Sequence, residues 1–426
     1  MGAGSMQFGL GAAGSVLASP VLRDAELFLH DVNEEALSLV ERACRDAVEQ
    51  RRLDVTVSAS TDRAEALAGA TFVINSIEVP PRFELWEQDF VLPLRYGSTQ
   101  VFGENGGPGG FFHAARVIPP ILEICADVAK HCPKALVINF SNPMSRVCLA
   151  VHRRFPELKF VGLCHEIKFA EIHLPKVLGV PFEEIELKAG GLNHFGAMLD
   201  VRERRTGRDL YPEIRRRAPD YLRSLEGIHD VRLVSYVLQR YGFLPYTYDS
   251  HFGEYLPWAR VVADLEGIAR FKSAYVANST AEAKRLRRLI RKGKGARLVK
   301  PDDERAVPIV EAVLTDAGAP ELSVNLPNAG RKLAANLPQD LVVEAPAVVD
   351  ADGVHGVPLG EIPRGLAALM RAEAGVQDLV VEAILRESKD LALQALLADG
   401  NSPPPPACER MLEEMLRVQA PHLKLG

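Results

Sequence analysis

The sequence has 426 residues, 47% of them hydrophobic and 25% charged, with a formal net charge of −6. This length suggests two or three domains, and the composition excludes a disordered or fibrous chain. The negative charge argues against nucleic-acid binding, and no apolar run reaches the roughly 18 residues that a membrane helix needs. The first residues carry no basic region of a secretory signal, and the six cysteines do not suggest a disulfide framework, so we expect thiols in the cytoplasm.

Short apolar, β-rich runs alternate with helical stretches over the first 165 residues. Runs that are apolar on both faces are typical of parallel strands covered by helices on each side. We therefore predict a doubly wound, Rossmann-like α/β domain over residues 1–168. No run precedes Gly2, so its first strand is expected to be truncated. The predicted strands are residues 25–32, 55–60, 71–79, 135–140 and 159–163, and the predicted helices are residues 34–50, 62–67 and 113–131.

From about residue 169 the pattern changes, and strands no longer alternate regularly with helices. We predict a C-terminal α+β domain over residues 169–426 that contributes substrate, metal and oligomer contacts. A proline run at residues 402–407 separates its last two helices. The predicted strands are residues 185–193, 199–205, 321–336 and 341–349, and the predicted helices include residues 230–241, 264–292, 377–398 and 407–419.

Several predicted strands end in polar or reactive residues. Asp31 closes the first strand, Asn75 lies in the third, Asn139 and Asn142 stand at the end of the fourth, and His165 follows the fifth. Ligands of open parallel sheets bind outside the carboxyl ends of the strands. A polar residue is common at any single strand end, but its recurrence at successive ends favours a ligand site.

The first residues are typical of a turn that binds a dinucleotide. Gly2, Gly4 and Ser5 allow a tight turn and a close approach to a pyrophosphate at a helix N-terminus. Gln7 stands where the third glycine of that motif is expected. Asp31 lies at a suitable distance along the chain to contact a ribose 2′-hydroxyl, which favours NAD over NADP. We therefore predict that residues 1–168 bind NAD. The predicted cofactor-binding residues are Gly2, Gly4, Ser5, Asp31, Asn75 and Asn139.

Cys164 and His194 follow two different predicted strands and form a candidate metal site. A thiolate and an imidazole are suitable ligands for a borderline divalent ion, and two protein ligands leave positions open for substrate oxygens. Their spacing is not that of a zinc finger, and a lone cysteine or histidine is more often structural.

Two further segments stand out by composition. Residues 101–110 are too rich in glycine for regular structure and are predicted to form a loop, either a mobile lid or a close-approach turn. Residues 241–255 concentrate Tyr, Asp, His and Glu side chains. They are interpreted either as a buried aromatic corner or as a source of general acid and base groups.

These motifs resemble those of glycoside hydrolase family 4, the NAD- and divalent-metal-dependent glycosidases. The family includes α-glucosidases, α-galactosidases, α-galacturonidases and 6-phospho-glycosidases, and the resemblance covers nearly the whole chain. The motifs are Gly-Ala-Gly-Ser at residues 2–5, Leu-His-Asp-Val-Asn-Glu-Glu at 29–35, Phe-Val-Ile-Asn at 72–75, Asn-Gly-Gly-Pro-Gly-Gly at 105–110, Asn-Phe-Ser-Asn-Pro-Met at 139–144, Gly-Leu-Cys-His at 162–165, Gly-Leu-Asn-His at 191–194 and Glu-Leu-Ser-Val-Asn-Leu-Pro-Asn at 321–328.

The resemblance implies redox chemistry in place of paired carboxylic acids. NAD⁺ would accept a hydride from sugar carbon 3, and a divalent ion, expected to be Mn²⁺, would be held by Cys164 and His194 and stabilise the enediolate. A base would remove the carbon 2 proton, the aglycone would leave, water would add, and NADH would return the hydride.

The catalytic groups are assigned from the same resemblance. Tyr241 is the favoured base, with Asp249 and Tyr248 as rivals, because the family takes this group from the corresponding region. His165, next to the metal thiolate, is the candidate acid for the leaving group.

The resemblance also suggests substrate contacts. Asn105, Asn142 and Asn193 lie in family motifs and are candidate substrate ligands, and His251 and Arg82 are candidate specificity residues. Arg82 would meet an anionic sugar substituent or else form a surface ion pair. The family further implies a homodimer or homotetramer with a small glycoside as substrate.

Two other functions compete with this one. A hydroxy-acid dehydrogenase of the lactate and malate type would share the fold and release NADH, but would not need Cys164 and His194. A non-catalytic nucleotide-binding protein would keep the fold without turnover.

Overall fold

The computed structural model describes residues 1–6, 8–328, 330 and 333–425. Within these residues, no helix is both long enough and apolar enough to cross a membrane. The strands of this part are β1 (Glu26–His30), β2 (Thr56–Ser60), β3 (Phe72–Asn75), β4 (Leu136–Asn139), β5 (Lys159–Gly162), β6 (Ile185–Leu192), β7 (Phe195–Glu203), β8 (Ala319–Pro327), β9 (Val342–Asp350) and β10 (Gly353–Gly356).

The α-helices surround these strands and connect most of them. They are α1 (Phe8–Ala18), α2 (Glu34–Arg51), α3 (Arg63–Leu67), α4 (Arg82–Arg95), α5 (Gly107–His131), α6 (Met144–Arg154), α7 (Lys168–Leu178), α8 (Tyr211–Leu225), α9 (Arg232–Tyr241), α10 (Asp249–Phe252), α11 (Ala259–Val262), α12 (Leu265–Arg291), α13 (Ala306–Thr315), α14 (Arg364–Leu385), α15 (Lys389–Ala398) and α16 (Ala407–Val418).

The described strands form one small and one large sheet. β1 pairs in parallel with β2, and the large sheet has the order β3-β4-β5-β8-β9-β6-β7, with β10 paired to β9. β3, β4 and β5 run parallel, whereas the pairings from β5 to β7 are antiparallel. The prediction of an α/β fold with a parallel sheet is confirmed. Because the large sheet continues past residue 168, the division into two domains at that residue stays a prediction.

Residues 1–3 bridge the two sheets. The backbone N–H of Ala3 donates to the carbonyl of His30 (3.0 Å) at the end of β1, and the N–H of Ser76 donates to the carbonyl of Met1 (3.1 Å) just after β3. Residues 1–6 contain no assigned strand. The glycine turn therefore lies at the carboxyl ends of both β1 and β3.

Two local predictions differ from the fold. The segment 101–110, predicted as a loop, contains the start of α5, because Pro108 suits the first turn of a helix, where its missing N–H needs no partner. The helix predicted over residues 377–398 is two helices. Glu387 between them has a left-handed φ of +50°, and the Ser388 side chain caps α15.

Buried polar contacts attach the C-terminal helices to the helices beside the parallel strands. Arg116 in α5 pairs with Asp89 in α4 (2.5 Å), and both contact Gln419, which follows α16. Arg146 in α6 faces Glu373 in α14 at 3.4 Å. These contacts hold α4, α5 and α6 in place, and the site described next depends on the residues that begin these helices.

Candidate active site

A cleft with a volume of about 690 Å³ lies at the carboxyl ends of β1, β3, β4 and β5. Its lining includes Asp31, Ser76, Ser141 and Cys164, which follow these strands closely in the chain. Residues at four-residue intervals on α12 form another wall. Open parallel sheets bind ligands at this edge, so the cleft is the candidate active site.

The structure brings part of the predicted site together in this cleft. The predicted residues that line it are Gly2, Ser5 and Asp31 of the cofactor set and Arg82, Asn142, Cys164, His165, His194 and His251 of the others. The predicted residues that do not line it are Gly4, Asn75, Asn139, Asn105, Asn193, Tyr241, Tyr248 and Asp249.

The glycine turn and Asp31 form one end of the cleft. Gly2 has a φ of +79°, a left-handed conformation that favours glycine. The Asp31 carboxylate accepts the N–H of Gly4 (2.8 Å) through Oδ2 and the N–H of Asn33 (2.8 Å) through Oδ1. A Cβ on Gly4 would lie 2.8 Å from the Asp31 carboxylate. Gly4 is therefore required for the approach of Asp31 to the turn.

Gly9 in α1 is a residue that the sequence reasoning missed. A Cβ there would lie 2.1 Å from the carbonyl oxygen of Ala3, so glycine is what lets α1 pack on the turn. Close packing of this kind is the task of the third glycine in the motif, and its expected position, Gln7, lies outside the described residues. Ser5 accepts the N–H of Phe8 (3.2 Å) and caps α1.

Asn75 and Asn139 lie beneath the cleft. Both side chains are buried, and Nδ2 of Asn75 donates to Oδ1 of Asn139 at 2.8 Å. Asn139 in turn donates to the carbonyl of Ser141 (3.0 Å). The pair joins the ends of β3 and β4, so these residues support the lining residue Ser141 and do not face the cleft themselves.

Cys164 and His194 meet at the other end of the cleft. Cys164 follows β5, and His194 lies in the turn between β6 and β7 with a left-handed φ of +60°. Their Sγ and Nε2 atoms are 3.1 Å apart. Non-glycine residues in this backbone region are uncommon and concentrate at functional sites.

His194 has the protonation state of a metal ligand, whereas Cys164 would need a bound cation to become a thiolate. Burial lowers the pKa of His194 well below its usual value, which keeps the imidazole neutral, as a metal ligand must be. Burial, with the carboxylates of Glu344 and Glu166, raises the pKa of the Cys164 thiol in the absence of a cation. Nδ1 of His194 is buried and has no hydrogen-bond partner among the described residues. Two protein ligands fill only part of the coordination shell of a divalent ion, so the pair would leave positions for substrate.

A buried carboxylate, which the sequence reasoning missed, holds the His194 turn. Glu344 in β9 accepts hydrogen bonds from Asn193 (3.2 Å), Tyr246 (3.0 Å) and Ser323. Burial raises the pKa of Glu344 to about 7. Asn193, predicted to bind substrate, is therefore used to orient the turn that carries His194.

Arg82 lies in the cleft within a ring of acceptors. Its guanidinium donates to Glu104 (3.2 Å) and to the Tyr275 hydroxyl (3.2 Å), and its Nε lies 3.6 Å from Glu78. These contacts raise the pKa of Arg82 although burial opposes the shift. One alternative for Arg82 was an ion pair at the protein surface. In the structure Arg82 contacts two carboxylates, those of Glu104 and Glu78, and these contacts lie inside the cleft.

The loop that carries Glu104 is fixed by another buried carboxylate, Glu254. Glu254 accepts the backbone N–H groups of Glu104 (2.6 Å) and Asn105 (2.9 Å), and the Asn105 side chain donates to it at 3.3 Å. Asn105 is buried and does not reach the cleft. Asn105 was predicted to contact the substrate. In the structure its side chain supports the loop.

His251 lies between the Cys164–His194 pair and a wall of aromatic side chains. Its ring centroid is 4.6 Å from that of His194 and 5.2 Å from that of Phe102. Phe102 stacks on Phe271 (5.9 Å), which stacks on Tyr275 (6.1 Å). The segment 241–255 therefore contributes His251 to the cleft lining, in place of the three residues of this segment that were predicted as bases.

The three candidate bases in this segment have other contacts. Tyr241 ends α9, and a Cβ on Gly365 would lie 3.0 Å from its ring. The Tyr248 hydroxyl lies 3.0 Å from Nε2 of His173. The buried Asp249 carboxylate accepts the N–H groups of Leu233 (2.8 Å) and Val234 (3.0 Å), so it caps α9. None of the three lines the cleft, because each side chain is used in packing or capping.

His165 and Asn142 both line the cleft. The His165 side chain is 54% exposed, with Nδ1 at 3.5 Å from Glu304 and Nε2 at 3.7 Å from Glu166, and it adjoins Cys164 in the chain. The amide oxygen of Asn142 is buried and has no hydrogen-bond partner among the described residues. The His165 side chain is therefore accessible to a ligand, whereas Asn142 adds an unpaired amide oxygen at the lining of the cleft.

Comparison with known proteins gives the family. The model of the family 4 glycosyl hydrolases matches residues 1–180, and the model of that family's C-terminal domain matches residues 189–401. The chain belongs to family 4 of the glycosyl hydrolases. The resemblance inferred from the motifs is confirmed, and the protein is a glycosidase.

Relatives of this family 4 glycosidase match it over most of its length. An α-glucosidase from Erwinia rhapontici is 42% identical over 457 residues, which cover 99% of this chain and 98% of the relative. An α-galactosidase from Bacillus subtilis (strain 168) is 29% identical, with 94% and 92% covered. A crystal structure of a 6-phospho-α-glucosidase from gut microorganisms, in complex with NAD and Mn²⁺, has a TM-score of 0.84 and 21% identity, with 99% and 98% covered.

The capping geometry of Asp249 gives a stability prediction for this glycosidase. Asp249→Asn removes a charged acceptor from the N-terminus of α9, so we expect the free energy of unfolding to fall by about 1–2 kcal/mol. Turnover of the folded enzyme should stay within about twofold of wild type. Guanidinium unfolding and initial rates measure the two effects, with the exposed Asp220→Asn as control. A strong loss of turnover without loss of stability would return Asp249 to the list of bases.

Proposed function

We propose that this glycosidase cleaves a small glycoside by NAD-dependent oxidation at carbon 3, metal-assisted elimination and addition of water. The observation that carries the proposal is the Cys164–His194 pair, 3.1 Å apart, in the same cleft as the glycine turn and Asp31. A hydrolase that used paired acids would need neither a dinucleotide turn nor a thiol–imidazole pair. The related structure that contains NAD and Mn²⁺ supports the same cofactors here.

Each end of the cleft would hold one cofactor. Gly2 and Ser5, at the start of α1, suit the pyrophosphate of NAD, and the Asp31 carboxylate suits its ribose hydroxyls. Cys164 and His194 would hold the divalent ion, for which we propose Mn²⁺. When bound, NAD⁺ supplies the hydride acceptor and the ion supplies Lewis acidity at the substrate oxygens.

The chain's own side chains would move the protons. We assign the base to His251, because its imidazole lines the cleft and packs on His194, whereas Tyr241 does not line the cleft. His165 would donate a proton to the leaving group from its exposed position beside Cys164. Asn142 would orient the sugar through its amide.

The test is incubation of the protein with NAD⁺, Mn²⁺ and nitrophenyl glycosides in deuterated water. Aglycone release with deuterium at carbon 2 and no net NADH is the expected result. Net NADH without aglycone release would mean the hydroxy-acid dehydrogenase, and cofactor binding without any product would mean the non-catalytic protein. The 42% identity to an α-glucosidase over 99% of the chain favours the glycosidase over both.

Asp31 gives a separate prediction for the cofactor. Asp31→Arg removes the ribose acceptor and adds a cation suited to a 2′-phosphate, so we expect NAD⁺ affinity to fall roughly 10- to 100-fold and NADP⁺ to become the better ligand. Titration calorimetry of both dinucleotides measures this, with the exposed Asp24→Arg as control. Unchanged NAD⁺ affinity would remove Asp31 from the cofactor site.

We also propose a homodimer or homotetramer in the cytoplasm, as expected for the family. Light scattering on the purified protein tests the assembly, and a monomer at micromolar concentration would contradict it.

A further inference from the structure

The charge balance around the metal pair points to the substrate class. We infer that the sugar ring bound at Cys164 and His194 is an uncharged hexose, without phosphate or carboxylate, and this inference rests on the proposed function. The relevant surface is the sugar wall, which we define as Glu78, Arg82, Glu104, Phe102, Phe271 and Tyr275, all of which line the cleft.

The single arginine of the sugar wall is already engaged. All three nitrogens of the Arg82 guanidinium face an acceptor: Nη1 faces Tyr275 (3.2 Å), Nη2 faces Glu104 (3.2 Å) and Nε faces Glu78 (3.6 Å). A substrate anion would have to displace a carboxylate to form the two-pronged contact that arginine makes with phosphates and carboxylates. Within the sugar wall itself, two carboxylates face one guanidinium, so no cation of the wall is left unpaired for a substrate anion.

These carboxylates are also held in place from behind. Glu104 lies on a loop whose N–H groups are bound by buried Glu254 at 2.6 and 2.9 Å. Glu78 is held at 3.1 Å by Nε2 of buried His113, and it accepts the N–H of Val79 at 2.8 Å. Because both are fixed, Arg82 is not free to turn toward a charged substituent.

The other arginines that line the cleft lie elsewhere. Arg63 begins α3, which packs against β1 near the cofactor end, and its Nε is bound by Asp127 at 2.5 Å. Arg287 lies twelve residues beyond Tyr275 on α12, a distance of about 18 Å along the helix axis. Neither is placed to neutralise a charge on a sugar held by Cys164 and His194.

The remainder of the sugar wall suits an uncharged ring. Phe271 is 41% exposed although it is a large aromatic residue, and it stacks between Phe102 and Tyr275. Such a face packs against the C–H side of a sugar, while Glu78 and Glu104 accept hydrogen bonds from its hydroxyl groups. An apolar surface with a few fixed acceptors recognises a neutral polyol and repels an anion.

The test compares three forms of one substrate. We expect kcat/KM for nitrophenyl α-glucoside to exceed that for its 6-phosphate and for the glucuronide by at least about tenfold, with NAD⁺ and Mn²⁺ present. Glu104→Gln removes one negative charge with little change of shape, so it should shift this ratio toward the charged forms by about tenfold. Glu87→Gln is the control, because Glu87 lies on α4, the helix that begins at Arg82, but it pairs with Lys272 outside the cleft lining and should leave the ratio unchanged.

A charged form that is turned over as well as the neutral one would overturn the inference while leaving the proposed function intact. If none of the three forms and no other nitrophenyl glycoside were turned over, the proposed function would fail. The substrate class would then be decided by the shift in Tm that glucose, glucose 6-phosphate and glucuronate each produce in the protein with NAD⁺ and Mn²⁺. Stabilisation by glucose above the other two supports the inference, and stabilisation by either anion above glucose contradicts it.

Discussion

Cys164→Ser and His194→Ala are each expected to lower metal-dependent turnover by about 10³-fold, which corresponds to the several kcal/mol that a catalytic metal ion supplies. The Sγ atom of Cys164 and the Nε2 atom of His194 are 3.1 Å apart, and the part of the chain that the structure describes contains no group of three or more His, Cys, Asp or Glu side chains that could hold a metal ion elsewhere. Serine oxygen is a harder and weaker ligand than thiolate for a borderline ion, and alanine has no donor.

Two measurements separate loss of the metal from loss of the fold. Mn²⁺ affinity, followed by electron paramagnetic resonance, should fall with turnover in both variants, while far-ultraviolet circular dichroism stays that of wild type. Cys132→Ser is the matched thiol control, because Cys132 is buried at the end of α5 and does not line the cleft. Normal Mn²⁺-dependent rates in both site variants would eliminate this pair as the metal site.

The second large effect is expected at His251. His251→Gln should slow turnover by roughly 10²- to 10⁴-fold, the usual contribution of a general base, and should slow deuterium incorporation at carbon 2 equally. The reason is position, since the imidazole packs on His194 and lines the cleft.

Tyr241→Phe is the comparison that decides between the two assignments. Because Tyr241 does not line the cleft and packs by Gly365, we expect turnover and carbon 2 exchange within about twofold of wild type. If Tyr241→Phe stopped the exchange and His251→Gln did not, the base would be Tyr241 as the family resemblance first suggested, and the cleft would have to rearrange on substrate binding.

Many residues that line the cleft could be predicted from the sequence, because the residues that follow parallel strands lie at the same edge of the sheet. Asp31, Cys164 and Asn142 were predicted from strand ends, and all three line the cleft. Asn75 and Asn139 were predicted by the same rule, but they face each other beneath it. A strand-end position fixes the edge on which a residue lies, and side-chain direction depends on the neighbouring strand.

The supporting carboxylates could not be recognised in advance. Glu254 and Glu344 are far in sequence from the loops that they hold, at residues 104–105 and 193–194. Their buried positions become favourable only after several donors have converged on each one. The same applies to Asp249, whose role as a helix cap needed the distance to Leu233 and Val234.

The sequence by itself determined the family, the alternation of strands and helices in the first half, and the set of reactive groups available at the strand ends. These features follow from local periodicity and from motifs of a few residues, which need no knowledge of long-range contacts. Only the tertiary structure decided which of those groups share the cleft, which carboxylates pair with Arg82, and that His251 and not Tyr241 lies beside Cys164 and His194. The physical reason is that burial and pairing are set by residues distant in the chain, and a shift of about two residues, half a helical turn, moves a side chain from a site to the core.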